Sequence, residues 1–176
     1  MRAGGERAYV ALGANLGDPG ATFSAVIEAF EREPDLRLVA ASRVYETPPL
    51  GPPGQDAYLN AVVSVHVWLS PPALLARLHA IEAALGRDRG PDAVRWGPRM
   101  IDLDLLFFGE RCLDGPELTV PHPRAHERPF VLVPLADLDP ALRHPVLGRT
   151  VAELLEEHAD AEGVVRTTRP AGWPGS

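Results

Sequence analysis

Two aspartates, Asp102 and Asp104, interrupt an otherwise apolar run that begins at Ile101 and ends at Phe108. Ile101, Leu103, Leu105 and Phe107 alternate with Asp102, Asp104, Leu106 and Phe108, which is the period of a strand. The two carboxylates then share one face, roughly 6–7 Å apart along the strand. Asp is a poor strand former, and at an effective dielectric of 20 the pair repels by about 2–3 kcal/mol. A divalent cation such as Mg²⁺, which takes carboxylate oxygens, would turn that cost into a gain. The alternative is a pair of solvated acids on an edge strand. Leu106 and Phe108, expected to continue the same face, argue that the face is not simply wet.

Arg87, Arg89, Arg95 and Arg99 precede this strand in a loop that also holds Gly90 and Pro91. Charge runs are commonly solvated loops. This one delivers its last arginine onto the strand that carries the aspartates, and its glycine and proline suit a segment able to close as a lid. Carboxylates for a metal beside guanidiniums for phosphate is the equipment of phosphoryl chemistry. A second basic cluster holds His122, Arg124, His126 and Arg128. A zinc site on the two histidines would need a helix that Pro123 opposes, so phosphate contact is the better reading. Tyr58 and Asn60 lie two apart at the start of a strand and share a face, where an amide could read the edge of a flat heterocycle.

The elements that must position these residues follow from pattern. Ala8–Ala14 reads as a buried strand, Pro19 to about Arg32 as a helix with Phe23, Val26, Ile27 and Phe30 on one side, and Leu36–Tyr45 as a second strand. Residues 47–54, with four prolines and two glycines, are irregular. Tyr58–Leu69 is a third strand. Ser70 caps a helix that begins at Pro71 and stops at Gly86. After the Asp102/Asp104 strand come a turn near 112–116, a short strand 118–120, a loop 121–129, an apolar stretch 130–135 and a short helix 151–158. The order βαββαβ over residues 8–108 is the ferredoxin-like arrangement, an α+β fold whose antiparallel sheet carries helices on one face, here with C-terminal strand and helix additions. One domain is expected over 1–176, with its core at about 8–165 and a frayed tail at 167–176.

Composition excludes several chemistries. The net charge is −7, which speaks against a nucleic-acid or acidic-membrane partner. All 17 basic residues are arginine, so a P-loop or Schiff-base lysine is unavailable. A single cysteine, Cys112, rules out an internal disulfide and a multi-cysteine zinc site. No apolar run has membrane-spanning length and residues 1–7 lack the apolar core of a signal peptide. The default expectation is a cytoplasmic protein of 176 residues with a core of its own.

The chain resembles the 6-hydroxymethyl-7,8-dihydropterin pyrophosphokinases of folate synthesis. The matching pieces are Leu12–Gly17, Tyr45–Gly51, Tyr58–Asn60, Ile81-Glu82 with Gly86-Arg87, Arg95–Arg99 with Asp102–Asp104, and Val120–His122 through Arg128. The resemblance implies transfer of pyrophosphate from ATP to the pterin hydroxymethyl group, with AMP released. It implies that Asp102 and Asp104 hold two Mg²⁺ ions and that Arg87 and Arg99 act on the phosphates. Glu82, Arg89, Arg95, Trp96, Leu105, Thr119, His122 and Arg128 would be further ATP contacts. Thr47, Pro48, Leu50, Tyr58, Asn60, Trp96 and Phe130 would form the pterin pocket. The chain departs from the pattern at four places: a loop 87–99 about two residues longer than in short-loop members, Met100 for Thr, His79 for Gln, and Pro123 for an aromatic. ATP and the pterin are the expected partners of a monomer or weak homodimer. Two rivals stand beside this reading: another metal-dependent phosphotransferase or phosphohydrolase, and a non-catalytic ligand-binding module.

Overall fold

In a computed structural model, described for residues 4–49, 51–87, 90–92, 97–158, 165–166 and 169–174, β1 (Glu6–Ala14) is flanked by antiparallel β4 (Tyr58–Val67) and β5 (Asp102–Phe108). The sheet runs β5-β1-β4 and then β3 (Tyr45–Thr47) and β6 (Val165–Arg166); β2 (Leu36–Ala41) pairs with the same side of β4 as β3. With α1 (Pro19–Arg32) and α2 (Pro71–Ala84) as the crossings, this is the expected ferredoxin-like βαββαβ core.

Helix boundaries follow local chemistry. Asp18 accepts the Ala21 N–H at 3.0 Å to cap α1, and Ser70 caps α2 ahead of Pro71. The apolar stripe of α1 (Phe23, Val26, Ile27, Phe30) and that of α2 (Leu74, Leu78, Ile81) bury against Val10, Leu12, Val63 and Val65 of the sheet. The opposite face is not left wet. There α3 (Pro129–Leu138) and α4 (Val151–Glu156) cover Tyr9, Ala11, Val62, Leu106 and Phe107 with Val131, Leu132, Leu135, Val151 and Leu154. The Tyr45 hydroxyl donates to Asp137 at 2.7 Å and the Tyr9 hydroxyl to Asp139 at 3.2 Å, tying the end of α3 to the sheet.

Four expectations need correction. Leu36–Tyr45 is two strands, because the Ser42 hydroxyl takes the Val62 N–H at 2.9 Å and bends the chain before β3 begins. Thr47, placed in the proline-rich loop, is the last residue of β3, opposite Tyr58. Phe108 does not share a face with the aspartates: the register slips between Tyr9 and Val10, so Phe107 takes that face and Phe108 turns to the α1/α2 side. The tail does not simply fray, since Trp173 is 4% exposed, packs on Phe23, and donates its indole N–H to the Ser42 carbonyl at 2.8 Å. Among the described residues, no helix is long and apolar enough to cross a membrane.

Candidate active site

β5 is an edge strand of the sheet, and its first residues form the floor of a cavity of about 530 Å³. Asp102 stands opposite Gly13 and Asp104 opposite Ala11. Paired residues point to the same face, so the smallest side chains in β1 flank the acids and leave the space above them open. A Cβ on Gly13 would meet Asn60 Oδ1 at 3.3 Å and intrude on that space. The exposed edge of β5 is managed by side chains and loops. Glu82 accepts the Leu103 N–H at 2.7 Å, between the two aspartates, and the His122 N–H donates to the Leu106 carbonyl at 2.8 Å.

Both acids have arginine partners. Arg87 lies 3.4 Å from Asp102 and Arg128 lies 3.8 Å from Asp104. Arg87 is aimed there by the end of α2. Gly86 adopts φ +90°, the Gly86 N–H reaches the Ala83 carbonyl, and the Arg87 N–H reaches the Glu82 carbonyl at 2.9 Å. This is a Schellman turn, which needs glycine at its left-handed position. The Arg87 side chain is 8% exposed, and its Nε and Nη1 have no hydrogen-bond partner in the described structure. Buried donors left unpaired are costly, so this guanidinium is set to receive acceptor oxygens. Burial, reinforced by the Asp102 charge and opposed by Arg128, pushes the Asp104 carboxyl up to about 7. The donor set suits Mg²⁺, which binds through one or two carboxylates and keeps its other positions for water and phosphate. Among the described residues there is no cluster of three or more acidic, histidine or cysteine side chains that would form an all-protein cage.

His122 lines the same cavity. Its Nδ1 accepts the Arg124 N–H at 3.1 Å, which leaves the proton on Nε2 as a neutral donor. Burial, helped by the Arg128 charge, lowers its pKa to about 4. The unfolded chain therefore takes up this proton first, and stability is lost as the pH falls from about 6.5 towards 4. An NMR titration of the His122 ring is expected to show the Nε2–H tautomer from pH 8 down to about 5, where an ordinary imidazole is mostly protonated. A midpoint near 6.5 would contradict this environment.

The other end of the cavity is lined by Thr47, Pro48, Tyr58, Asn60 and Phe130. Asn60, 8% exposed, donates from Nδ2 to Thr47 Oγ1 at 2.6 Å, which fixes its amide orientation. The Tyr58 hydroxyl donates to the Gly97 carbonyl at 2.7 Å. The Arg128 guanidinium lies 5.7 Å from the centre of the Phe130 ring.

The cavity thus gathers Arg87, Arg99, Asp102, Asp104, Leu105, Thr119, His122 and Arg128 with the five residues of the opposite end. Glu82, expected among the ATP contacts, is 0% exposed, does not line the cavity, and accepts the Leu103 N–H of β5. Leu50, Arg89, Arg95 and Trp96 lie outside the described residues. Reasoning from the sequence missed the Gly115–Leu118 turn, Leu75 and Gly13 as lining, and noted His79 only as a departure. Leu75 and His79 are four apart on α2, a spacing that places them on one helix face; the turn carries no chemical signature of its own.

Residues 9–140 match the family described as 7,8-dihydro-6-hydroxymethylpterin-pyrophosphokinase (HPPK). The chain is 51% identical over 150 residues to a 2-amino-4-hydroxy-6-hydroxymethyldihydropteridine pyrophosphokinase of Pseudomonas aeruginosa, covering 85% of this chain and 90% of that one. A protein of the same name from Methylorubrum extorquens is 43% identical over 160 residues, covering 91% and 98%. The solved structure of wild-type Plasmodium falciparum HPPK-DHPS with pteroate superimposes with a TM-score of 0.71 at 14% identity. That alignment covers 90% of this chain and 45% of the longer protein, and is a likeness of fold. With most of its length matched by the family pattern and about half of 150 aligned residues identical to those of a curated relative, the chain belongs to the 7,8-dihydro-6-hydroxymethylpterin-pyrophosphokinase family.

Proposed function

We propose that this protein transfers pyrophosphate from ATP to the hydroxymethyl group of 6-hydroxymethyl-7,8-dihydropterin and releases AMP, a step of folate biosynthesis. The observation that carries the proposal is one continuous cavity. It joins an acid pair and arginines at one end to an amide, a hydroxyl and aromatic rings at the other. ATP phosphates belong at the first end and the pterin ring at the second.

Asp102 and Asp104 hold two Mg²⁺ ions in this reading. Magnesium held there would supply positive charge to neutralise the phosphate oxygens. The protein's own side chains do the rest. Arg87 and Arg99 place their guanidinium donors against the negative charge that shifts toward the departing AMP, an electrostatic role. Arg87 is already buried beside Asp102 with two unpaired donors, so phosphate oxygens can satisfy it without rearranging its surroundings. His122 offers its neutral Nε2–H, and Arg128 adds a charge beside Asp104. At the other end, Asn60 presents Oδ1 to an N–H of the heterocycle, and Phe130 and Tyr58 supply flat walls. The hydroxymethyl oxygen of the pterin then attacks the β-phosphorus of ATP. A loose phosphoryl transition state asks little of a general base, so positioning and charge dominate.

The test is direct. Incubation with ATP, Mg²⁺ and 6-hydroxymethyl-7,8-dihydropterin should yield AMP in step with pterin pyrophosphate, read on a nucleotide chromatogram. ADP or inorganic phosphate as the product would assign the site to another phosphotransferase or a phosphohydrolase. Binding without turnover would make it a ligand-binding module.

A further inference from the structure

We infer that Asn15, which lines no part of the catalytic cavity, is a positioning residue that couples the two substrate ends to each other. The inference rests on the assignment of those ends proposed above. Asn15 follows the last residue of β1 and is 3% exposed. Its Oδ1 accepts the Arg99 N–H at 2.8 Å, and its own N–H donates to the Arg99 carbonyl at 3.0 Å, with the Leu16 N–H beside it at 3.1 Å. The Arg99 backbone is therefore gripped on both its donor and its acceptor. From the other side of the same amide, Nδ2 donates to the Asp56 carbonyl at 3.1 Å and approaches Gln55 Oε1 at 3.4 Å.

These bonds close a circuit. Asp56 is two residues before Tyr58, whose hydroxyl donates to the Gly97 carbonyl at 2.7 Å, and Gly97 is two residues before Arg99. One arc of the ring carries Tyr58, a wall of the pterin end; the other carries Arg99, a phosphate contact at the nucleotide end. A ligand that pulls Arg99 onto phosphate shifts the 97–99 segment, and through Asn15 and Tyr58 it sets the 55–58 segment as well. Such coupling is reciprocal by necessity, and it needs a physical element that both ligands bias, which this closed ring of part-buried hydrogen bonds supplies.

The decisive measurement is the affinity of the intact protein for 6-hydroxymethyl-7,8-dihydropterin, titrated by calorimetry with and without saturating Mg²⁺ and α,β-methylene-ATP. In the wild type the nucleotide analogue is expected to tighten pterin binding at least tenfold. Asn15→Asp keeps the acceptor for Arg99 but replaces the donor to Asp56 with a carboxylate that repels its carbonyl. In this variant and in Asn15→Ala, the gain should fall below threefold while each ligand alone binds within threefold of the wild type. Turnover should drop about tenfold or more with KM for ATP little changed. Tyr58→Phe, which opens the same ring at its other junction and retains the aromatic wall, should lose the gain likewise. Combined with Asn15→Asp it should add nothing further. A lowered melting temperature with an unchanged gain would reduce Asn15 to a structural clamp, and an absence of gain in the wild type would refute the coupling outright. AMP formation by the wild type is scored separately, so failure of the coupling is not confused with failure of the proposed activity.

Discussion

Asp104→Asn is expected to lower turnover by about three orders of magnitude or more and, in the same protein, to raise the melting temperature of the ligand-free state at pH 8. Charge stabilisation by a bound metal amounts to several kcal/mol, and each 1.4 kcal/mol is tenfold in rate. An amide in place of one of only two carboxylates forfeits most of it. Asp102→Asn should lose a comparable factor. The stability change has the opposite sign for an electrostatic reason. Burial and the Asp102 charge raise the folded-state pKa of Asp104 to about 7, against about 3.9 in an unfolded chain. Between those values the native state holds the extra proton, so stability declines as the pH rises through the window and the full penalty is present above pH 7. Asparagine has the same shape and no charge to bury. The Asp104 side chain is 35% exposed, so solvent screening reduces the gain to about 1 kcal/mol, or roughly 2–4 °C for a chain of this size. Thermal melts in EDTA and AMP assays in Mg²⁺, on the same preparation, check both halves. Near-normal turnover in either variant would remove the acid pair from the mechanism.

Asn60→Ala is expected to weaken pterin binding about a hundredfold and leave nucleotide affinity within a factor of three. A site built to hydrogen-bond its ligand discriminates strongly, because losing the partner leaves buried polar groups unpaired. Asn60 is nearly buried, its amide is held by Thr47, and Gly13 opposite leaves room above it. Removing the amide strips Thr47 of its bond and the heterocycle of its edge contact, while the acids and arginines are untouched. Separate titrations with each ligand decide the matter. Equal losses of both would mean that the two ends are not distinct.

How far the site could be read before folding differs residue by residue. Asp102 and Asp104 were legible because a period of two places i and i+2 on one face whatever the strand pairs with. Gly86 was legible as a helix stop and does make that turn, whereas Arg87 stood out from the other loop arginines only through the family likeness. Phe108 was misread because a bulge belongs to the pairing of β1 with β5 and leaves no mark in β5 alone. The Leu36–Tyr45 run concealed a break because the group that makes it, the Ser42 hydroxyl, acts on a backbone N–H 20 residues away. The apolar stretch 130–135 had no usable period, since α3 is wedged between the sheet and α4 and is apolar on more than one side.

Glu82 shows the limit most plainly. The family likeness marked it as a site residue, and nothing in the chain announced that it would be fully buried with its carboxylate on the Leu103 N–H. Trp173 is similar: a tail rich in proline and glycine looked loose, yet its indole donates to the Ser42 carbonyl just past the end of β2.

What the amino-acid order determined by itself was local: strand and helix periods, caps, the absence of lysine, and the spacing of the acid pair. These depend on neighbours within a few residues, whose geometry the backbone imposes. Only the tertiary structure decided which arginine meets which aspartate, that Gly13 stands opposite Asn60, and that Asn15 bridges two loops. Those relations join residues about 15 to 85 apart in the chain, and such contacts exist only once the sheet has brought distant segments into register.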